Sequence, residues 1–527
     1  MLEERRTQSD AEPVLRGTGA VTAVPRSQRA VPGVYRDPVT WAIALAVFGA
    51  YAALSLFRLL QLNPTSWDLG IYTEYVKQYA HLQAPIVDAR AAGFNLLGDH
   101  FQPIVALIAP FFRVFPSAAT LLVAQALLTA SSVFAVSQVA RDKLGTGPGR
   151  AIAFAYGFSW GLQQMIDFDF HEIAFAVPLL AFSLSALVRG REKAAVWWAL
   201  PLVFVKEDQG FTVAAIGLYL IVTGLRANLT PTADPDSDGQ RRMQAGLFLL
   251  TWGFAWSFLA IAVIIPHFNP AHHYDYWSDG GVLAPGGHVS VIGLAKQFLR
   301  AWPDKLQTIV MLLLPTAFIA LRSPVALIAA PSLLLRFLST NSSFWGTFWH
   351  YNATVMPILF VAAIAALARI QAAMDSDEAA GFPSWGTGRR GRARAVLAGA
   401  RHHGAAMMVA IVVVLAFRFP VSNLWNAQTY RISPHIASAN AAMAKVPDGA
   451  TVQTTLDLLA PLAARTDTFW IGNSGNPRTQ YIVFDGQDSD YTPAITNVPA
   501  FIAQLYPDHA YTQIFGSGDV YVFRLNR

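Results

Sequence analysis

Uncharged, strongly apolar stretches recur along this chain from residue 39 almost to residue 421, separated by short polar or arginine-bearing segments. A membrane hydrocarbon core is about 30 Å thick and an α-helix rises about 1.5 Å per residue, so a run of roughly 20 apolar residues reads as a crossing. On that measure spans fall at residues 39–60, 117–140, 150–165, 172–189, 194–206, 209–226, 244–266, 306–322, 324–338, 351–370 and 405–421, about eleven in all. The first has no small-residue cleavage site behind it and is expected to stay as a transmembrane helix. Residues 101–115 are apolar but interrupted by Pro103, Pro110 and Arg113, the pattern of a re-entrant or interfacial helix.

After residue 421 the pattern changes. Thr451-Val-Gln-Thr-Thr455 and Tyr481-Ile-Val-Phe484 read as strands, Gly472-Asn-Ser-Gly-Asn476 as a turn, and Val520-Tyr-Val-Phe-Arg-Leu525 alternates weakly, like an edge strand. Eight Asp stand against six Lys and Arg in this region. The expected architecture is an α-helical polytopic membrane protein, with a disordered cytoplasmic tail at 1–38, a transmembrane domain with external loops at 39–421 and a small extracytoplasmic α/β domain at 422–527.

Composition sharpens this picture. Only 13% of the 527 residues are charged and 54% are hydrophobic, against about 25% charged in a soluble domain. Disorder is excluded, and a soluble enzyme is a poor fit. The formal charge of +5 rests on 38 basic residues, of which only seven are Lys. The Arg excess sits in the tail and in short loops: 141–150, 189–193, 226–242, the turn at Arg322, and the loop with Arg389, Arg390, Arg392, Arg394 and Arg401. Basic short loops stay in the cytoplasm, so the pattern reports topology and not nucleic-acid binding. The N-terminus is then cytoplasmic, and an odd helix count places the C-terminal domain outside a multi-pass cell-membrane protein whose first partner is the lipid bilayer. With no cysteine, thiol chemistry is excluded.

In this orientation the unusual polar residues sort to the external helix ends. Asp68, between Trp67 and Gly70-Ile-Tyr-Thr-Glu-Tyr75, begins what reads as a short amphipathic helix on the outer membrane surface. Two roles fit it, and both can hold at once: an N-cap satisfying free N–H groups, or an interfacial carboxylate serving as general base or metal ligand. Asp167-Phe-Asp169-Phe-His171-Glu172, if helical, pairs Asp167 with His171 and Asp169 with Glu172 on shared faces. Asp169, His171 and Glu172 could then hold a divalent metal ion, the alternative being a solvated loop. Lys206-Glu207-Asp208 sits between apolar segments with almost no loop, which calls for an internal ion pair or a wet cavity. There Lys206 either pairs structurally or meets a phosphate. His267, His272, His273 and Asp275 occupy the long external loop, where isolated histidines usually have no special role and the alternative is a metal site. His350 and Tyr351 follow an aromatic run that marks either the interfacial belt or a sugar-stacking surface.

Taken together, Trp67-Asp68-Leu-Gly-Ile-Tyr72, Gly98-Asp-His-Phe-Gln-Pro103, Leu107-Ile-Ala-Pro110, Asp169-Phe-His-Glu172 and Lys206-Glu-Asp208 resemble the bacterial membrane family known as domain of unknown function 2079. The likeness continues into Val452-Gln-Thr-Thr455 and Leu459-Ala-Pro-Leu-Ala-Ala-Arg465. Proline often follows the His in that family, and Glu172 stands in its place here. More distantly the layout resembles the GT-C type of integral membrane glycosyltransferase, which uses polyprenyl-phosphate sugars and carries a catalytic Asp in the first external loop. That resemblance implies sugar transfer from a lipid-linked donor to a cell-envelope acceptor on the external face, with Asp68 catalytic and Asp99, His100, Lys206, Glu207, His350 and Tyr351 binding substrate. Two other readings stay open: a transporter or flippase of a lipid-linked precursor, whose charged pathway should also reach the midplane, and a non-catalytic scaffold.

Overall fold

A computed structural model describes residues 33–229, 238–277, 291–379, 388–488, 490 and 495–526, so most of the tail lies outside the described residues. The membrane part runs through α1 (Pro38–Leu60), α2 (Asp68–Ala80), α3 (Ala109–Val114), α4 (Ala118–Leu144), α5 (Thr146–Gly157), α6 (Trp160–Asp167), α7 (Ile173–Val188) and α8 (Glu192–Ala199). It continues with α9 (Gln209–Asn228), α10 (Asp238–Leu259), α11 (Ile265–Phe268), α12 (Val291–Leu299), α13 (Trp302–Leu313), α14 (Ala330–Leu338), α15 (Val355–Ala379) and α16 (Gly388–Ala416). Then follow α17 (Pro434–Met443), β1 (Thr451–Thr454), α18 (Leu456–Ala463), β2 (Asp467–Trp470), β3 (Tyr481–Asp485), α19 (Val498–Leu505), β4 (Tyr511–Ser517) and β5 (Val520–Leu525).

Among the described residues six helices are long and apolar enough to cross a membrane: Pro38–Leu60, Ala118–Leu144, Gln209–Asn228, Gly239–Phe268, His350–Ser376 and Ala395–Ala416. The stretches expected at 150–165, 172–189, 194–206, 306–322 and 324–338 form shorter or broken helices. The chain turns at Phe158 and Ser159 between α5 and α6, and Pro178, Pro201, Pro315 and Pro324 fall in the others; proline removes a helix hydrogen bond and crowds the preceding turn. The Arg-rich segment read as a loop is largely the start of α16.

Helix α4 is the hub of the bundle, packed against α1, α5, α7 and α15. Helices α9 and α10 pair along their lengths through glycines spaced by seven, Gly210, Gly217 and Gly224 against Gly253, Gly246 and Gly239; a Cβ on Gly217 would lie 2.5 Å from the Gly246 carbonyl oxygen. Without water to drive association, such small residues let membrane helices approach closely.

Helix α2 departs from expectation. Leu69 through Val76 are all buried, so it does not lie exposed on the membrane surface. It packs instead against α3 and α18, and a Cβ on Gly70 would meet Leu459 Cδ2 at 2.6 Å. The segment before α4 does show the outward apolar surface of an interfacial helix, with Leu107, Phe111, Val114 and Phe115 exposed.

The C-terminal region carries a five-stranded sheet in the order β2-β1-β3-β5-β4, parallel for β2-β1-β3 and antiparallel for β3-β5-β4. Val452, Val483, Val520 and Val522 pack with α17 and α18 on one face, and Ile482, Phe484 and Phe523 with α19 on the other. Strand β5 is therefore interior, not the edge strand its weak alternation indicated. The true edge, β4, is mostly exposed and polar, which left no apolar period to read. Lys77 Nζ donates to the Thr466 carbonyl at 2.6 Å, and Asn473 Nδ2 donates to the carbonyls of Ala89 and Arg90 at 3.1 Å, so this region docks onto the loops around α2.

Candidate active site

The loops between the helices enclose a polar cavity of about 380 Å³. Asp68, Asp99, His100, His171, Lys206, Glu207, His350 and Tyr351 all line it, joining residues more than 280 positions apart.

Asp68 is the first residue of α2, but the cap position belongs to Trp67 and no side chain caps the helix. The capping role is thus not what holds this aspartate. The Ser66 hydroxyl accepts the Asp68 N–H at 3.1 Å. Among the described residues no Lys, Arg or His lies in ion-pair contact with the Asp68 carboxylate. Burial raises its carboxyl above the ordinary carboxylate range, with His171 and Lys206 pulling the other way.

One turn on, the Tyr72 hydroxyl donates to the Glu172 carboxylate and lies 2.9 Å from Gln102 Oε1. Glu172 is fully buried behind the cavity wall, held also by His171 Nδ1 and by Lys206 Nζ at 3.2 Å. The proline of the family pattern is thus replaced by the carboxylate that balances Lys206. Glu207 collects donors in the same way: His100 Nδ1 at 2.7 Å, the Phe101 N–H at 3.1 Å and the Tyr274 hydroxyl at 2.9 Å. Burial and Lys206 would lower the His100 pKa, but Glu207 and Asp99 outweigh them and raise it. Asp99 accepts from the Tyr276 hydroxyl at 3.1 Å, and Tyr276 stacks on His100 with centroids 4.4 Å apart.

On the far wall the His350 ring stacks on His171 at 3.6 Å and lies 4.1 Å from Tyr351. His350 is 2% exposed, and neither ring nitrogen has a hydrogen-bond partner. Buried polar groups are rarely left so, and His350 lines the cavity.

The Asp169, His171, Glu172 metal set does not assemble. Residues 168–172 are not helical: α6 ends at Asp167, and Asp169 takes a left-handed φ of 72°. That twist turns its carboxylate to the Thr65 N–H at 2.7 Å and away from the cavity, while Asp167 pairs with Arg58. Of the long-loop residues, His272 and His273 are exposed, and Tyr274 and Tyr276 are the ones that reach the site.

Sequence reasoning missed several wall residues. Arg336 is buried, donating to the Phe344 and Tyr351 carbonyls and to Asn352 Oδ1 at 3.0 Å. Its signal was available, since it is the lone charge inside the apolar run 324–338. Arg90 lies over the Trp67 ring at 5.3 Å, and Trp67 meets Trp470 of the C-terminal region at 5.0 Å, forming the rim.

The described residues form a helical bundle, with six helices long and apolar enough to cross a membrane, and a small C-terminal sheet region packed against it, the architecture of a polytopic membrane protein. Among solved structures, ArnT from Cupriavidus metallidurans bound to undecaprenyl phosphate is similar, with a TM-score of 0.52 at 14% identity, covering 92% of this chain and 97% of that one. The oligosaccharyltransferase of Archaeoglobus fulgidus in its apo form gives a TM-score of 0.37 at 13% identity, covering 80% and 64%. No curated protein matches the chain. A family model described as predicted membrane protein, DUF2079, matches residues 58–500, and the chain belongs to that family.

Proposed function

We propose that this protein is a membrane glycosyltransferase that moves a sugar from a polyprenyl-phosphate donor to a hydroxyl of a cell-envelope acceptor. The observation that carries the reading is that Asp68 lines the same cavity as Lys206 and, among the described residues, makes no ion pair of its own. Asp68 takes the proton of the acceptor hydroxyl, the acceptor oxygen bonds to the sugar's anomeric carbon, and the bond from that carbon to the phosphate oxygen breaks. Polyprenyl phosphate leaves with the added charge, which Lys206 stabilises. Asp99, His100 and Glu207 offer hydrogen bonds to sugar hydroxyls, and His350 with Tyr351 offers aromatic surface in the cavity wall. The undecaprenyl phosphate in the ArnT structure supports a lipid-linked donor here. In this reading the N-terminus is cytoplasmic and the C-terminal region, from about residue 422, lies on the external face, as the arginine distribution supports.

The test compares lipids and envelope glycans of a deletion strain with those of strains complemented by wild type or Asp68→Asn. Accumulation of a polyprenyl-phosphate sugar in the deletion and Asp68→Asn strains is expected. Accumulation of a lipid-linked precursor confined to the inner leaflet would instead establish a flippase.

A further inference from the structure

A second group of ligating side chains converges away from the cavity. His435 in the first turn of α17, Asp457 in the first turn of α18 and Asp485 at the end of β3 each offer one ligand atom, and these atoms lie within 4.8 Å of one another. The chain leaves β1 through α18 toward β2 on one side, while β3 lies on the other. The group therefore sits outside the carboxyl ends of parallel strands where the connections diverge, a favoured ligand position in open α/β sheets.

Three details point to a cation. His435 Nδ1 is 2.8 Å from the Gly518 carbonyl, which can only accept, so Nδ1 carries the proton. Nε2 lies 2.6 Å from Asp485 Oδ2, so the ring nitrogen and the carboxylate converge on one point. A ligating histidine fixed through its other nitrogen has this arrangement. Second, strand alternation puts Thr454 and Asp485 on the same face as Val452 and Val483. Thr454 is fully buried, and among the described residues its Oγ1 has no partner. Third, among the described residues no Lys or Arg pairs with Asp457, Asp485 or the neighbouring Asp488.

We propose that His435, Asp457 and Asp485 bind a divalent first-row transition ion, with zinc the closest match to one imidazole and two carboxylates. Asp488, whose Oδ2 accepts the Asp457 N–H at 2.9 Å, orients the ligand loop. The ion ties α17 and β3 to α18, the helix that carries Leu459 onto Gly70 two residues from Asp68. Its role is structural and stands apart from the sugar-transfer reading.

The test uses untagged full-length protein in detergent, stripped by chelator and re-equilibrated with zinc alone. About one zinc per chain is expected to survive gel filtration and to raise the unfolding temperature, while magnesium does neither. His435→Ala and Asp485→Asn should each weaken zinc binding by about 100-fold or more, and His171→Ala should leave it unchanged. Failure of the wild-type chain to hold stoichiometric zinc would overturn the site without recourse to any variant. Undiminished zinc binding by His435→Ala would overturn the ligand assignment.

Discussion

Asp68→Asn separates chemistry from architecture at the proposed base. The substitution is nearly isosteric and removes only basicity, and Asp68 neither caps α2 nor completes an ion pair. The fold should therefore survive the exchange, which thermal unfolding reads directly. A positioned general base contributes about 10²–10⁴-fold, which at about 1.36 kcal/mol per tenfold is roughly 2.7–5.4 kcal/mol of transition-state stabilisation. The loss should fall on kcat and on kcat/KM alike, because the proton moves only in the transition state. The pH profile adds a second reading. The base works when deprotonated, and burial holds Asp68 above the ordinary carboxylate range; wild-type activity should fall as pH drops through that raised value, and the variant's residual activity should lack this acid limb. The assay is transfer of labelled sugar from a short-chain polyprenyl-phosphate donor by protein in nanodiscs. Full activity of Asp68→Asn with an unchanged acid limb would refute the assignment.

Three further outcomes follow from the same geometry. Lys206→Ala should raise KM for the donor, and because it removes one of three partners of the buried Glu172 it should also lower stability, read by thermal unfolding; an unchanged KM would remove Lys206 from phosphate binding. Gly70→Ala forces a Cβ against Leu459 and should destabilise by about 1–3 kcal/mol, with Leu459→Ala in the same chain recovering part of the loss; no recovery would mean that α2 and α18 do not meet there. Topology reporters inserted near residue 384 should read cytoplasmic and reporters at the C-terminus external, and agreement between the two would reverse the proposed sidedness.

The sequence showed the membrane bundle because apolar length is a local property, and six of the expected spans appear as long apolar helices. The other expected spans appear as shorter or broken apolar helices where prolines such as Pro178 and Pro315 interrupt apolar runs without making them polar. The cavity residues were legible as charges stranded at helix ends, and Asp68, His100, Lys206 and Glu207 do line one cavity. Their partners were not legible, because pairing is long-range: nothing near Glu172 in sequence announces Tyr72 or Lys206. Asp169 was misread because one left-handed residue reverses a side chain that helical spacing had placed. The glycines spaced by seven in α9 and α10 were in plain view yet are meaningful only once the two helices are known to pair.

The close approach of Gly70 to Leu459, with Lys77 bound to Thr466 and Asn473 bound to the Ala89 and Arg90 carbonyls, bears on how such proteins diversify. A seam that leaves no room for a methyl group ties the C-terminal module to one particular α2, so relatives cannot trade these modules freely. Exchange by recombination should succeed only when residues 68–90 travel with residues 456–473. Substitutions on one side of the seam should then be matched by compensating ones on the other, while the outward strand β4, which takes no part in the seam, is free to drift.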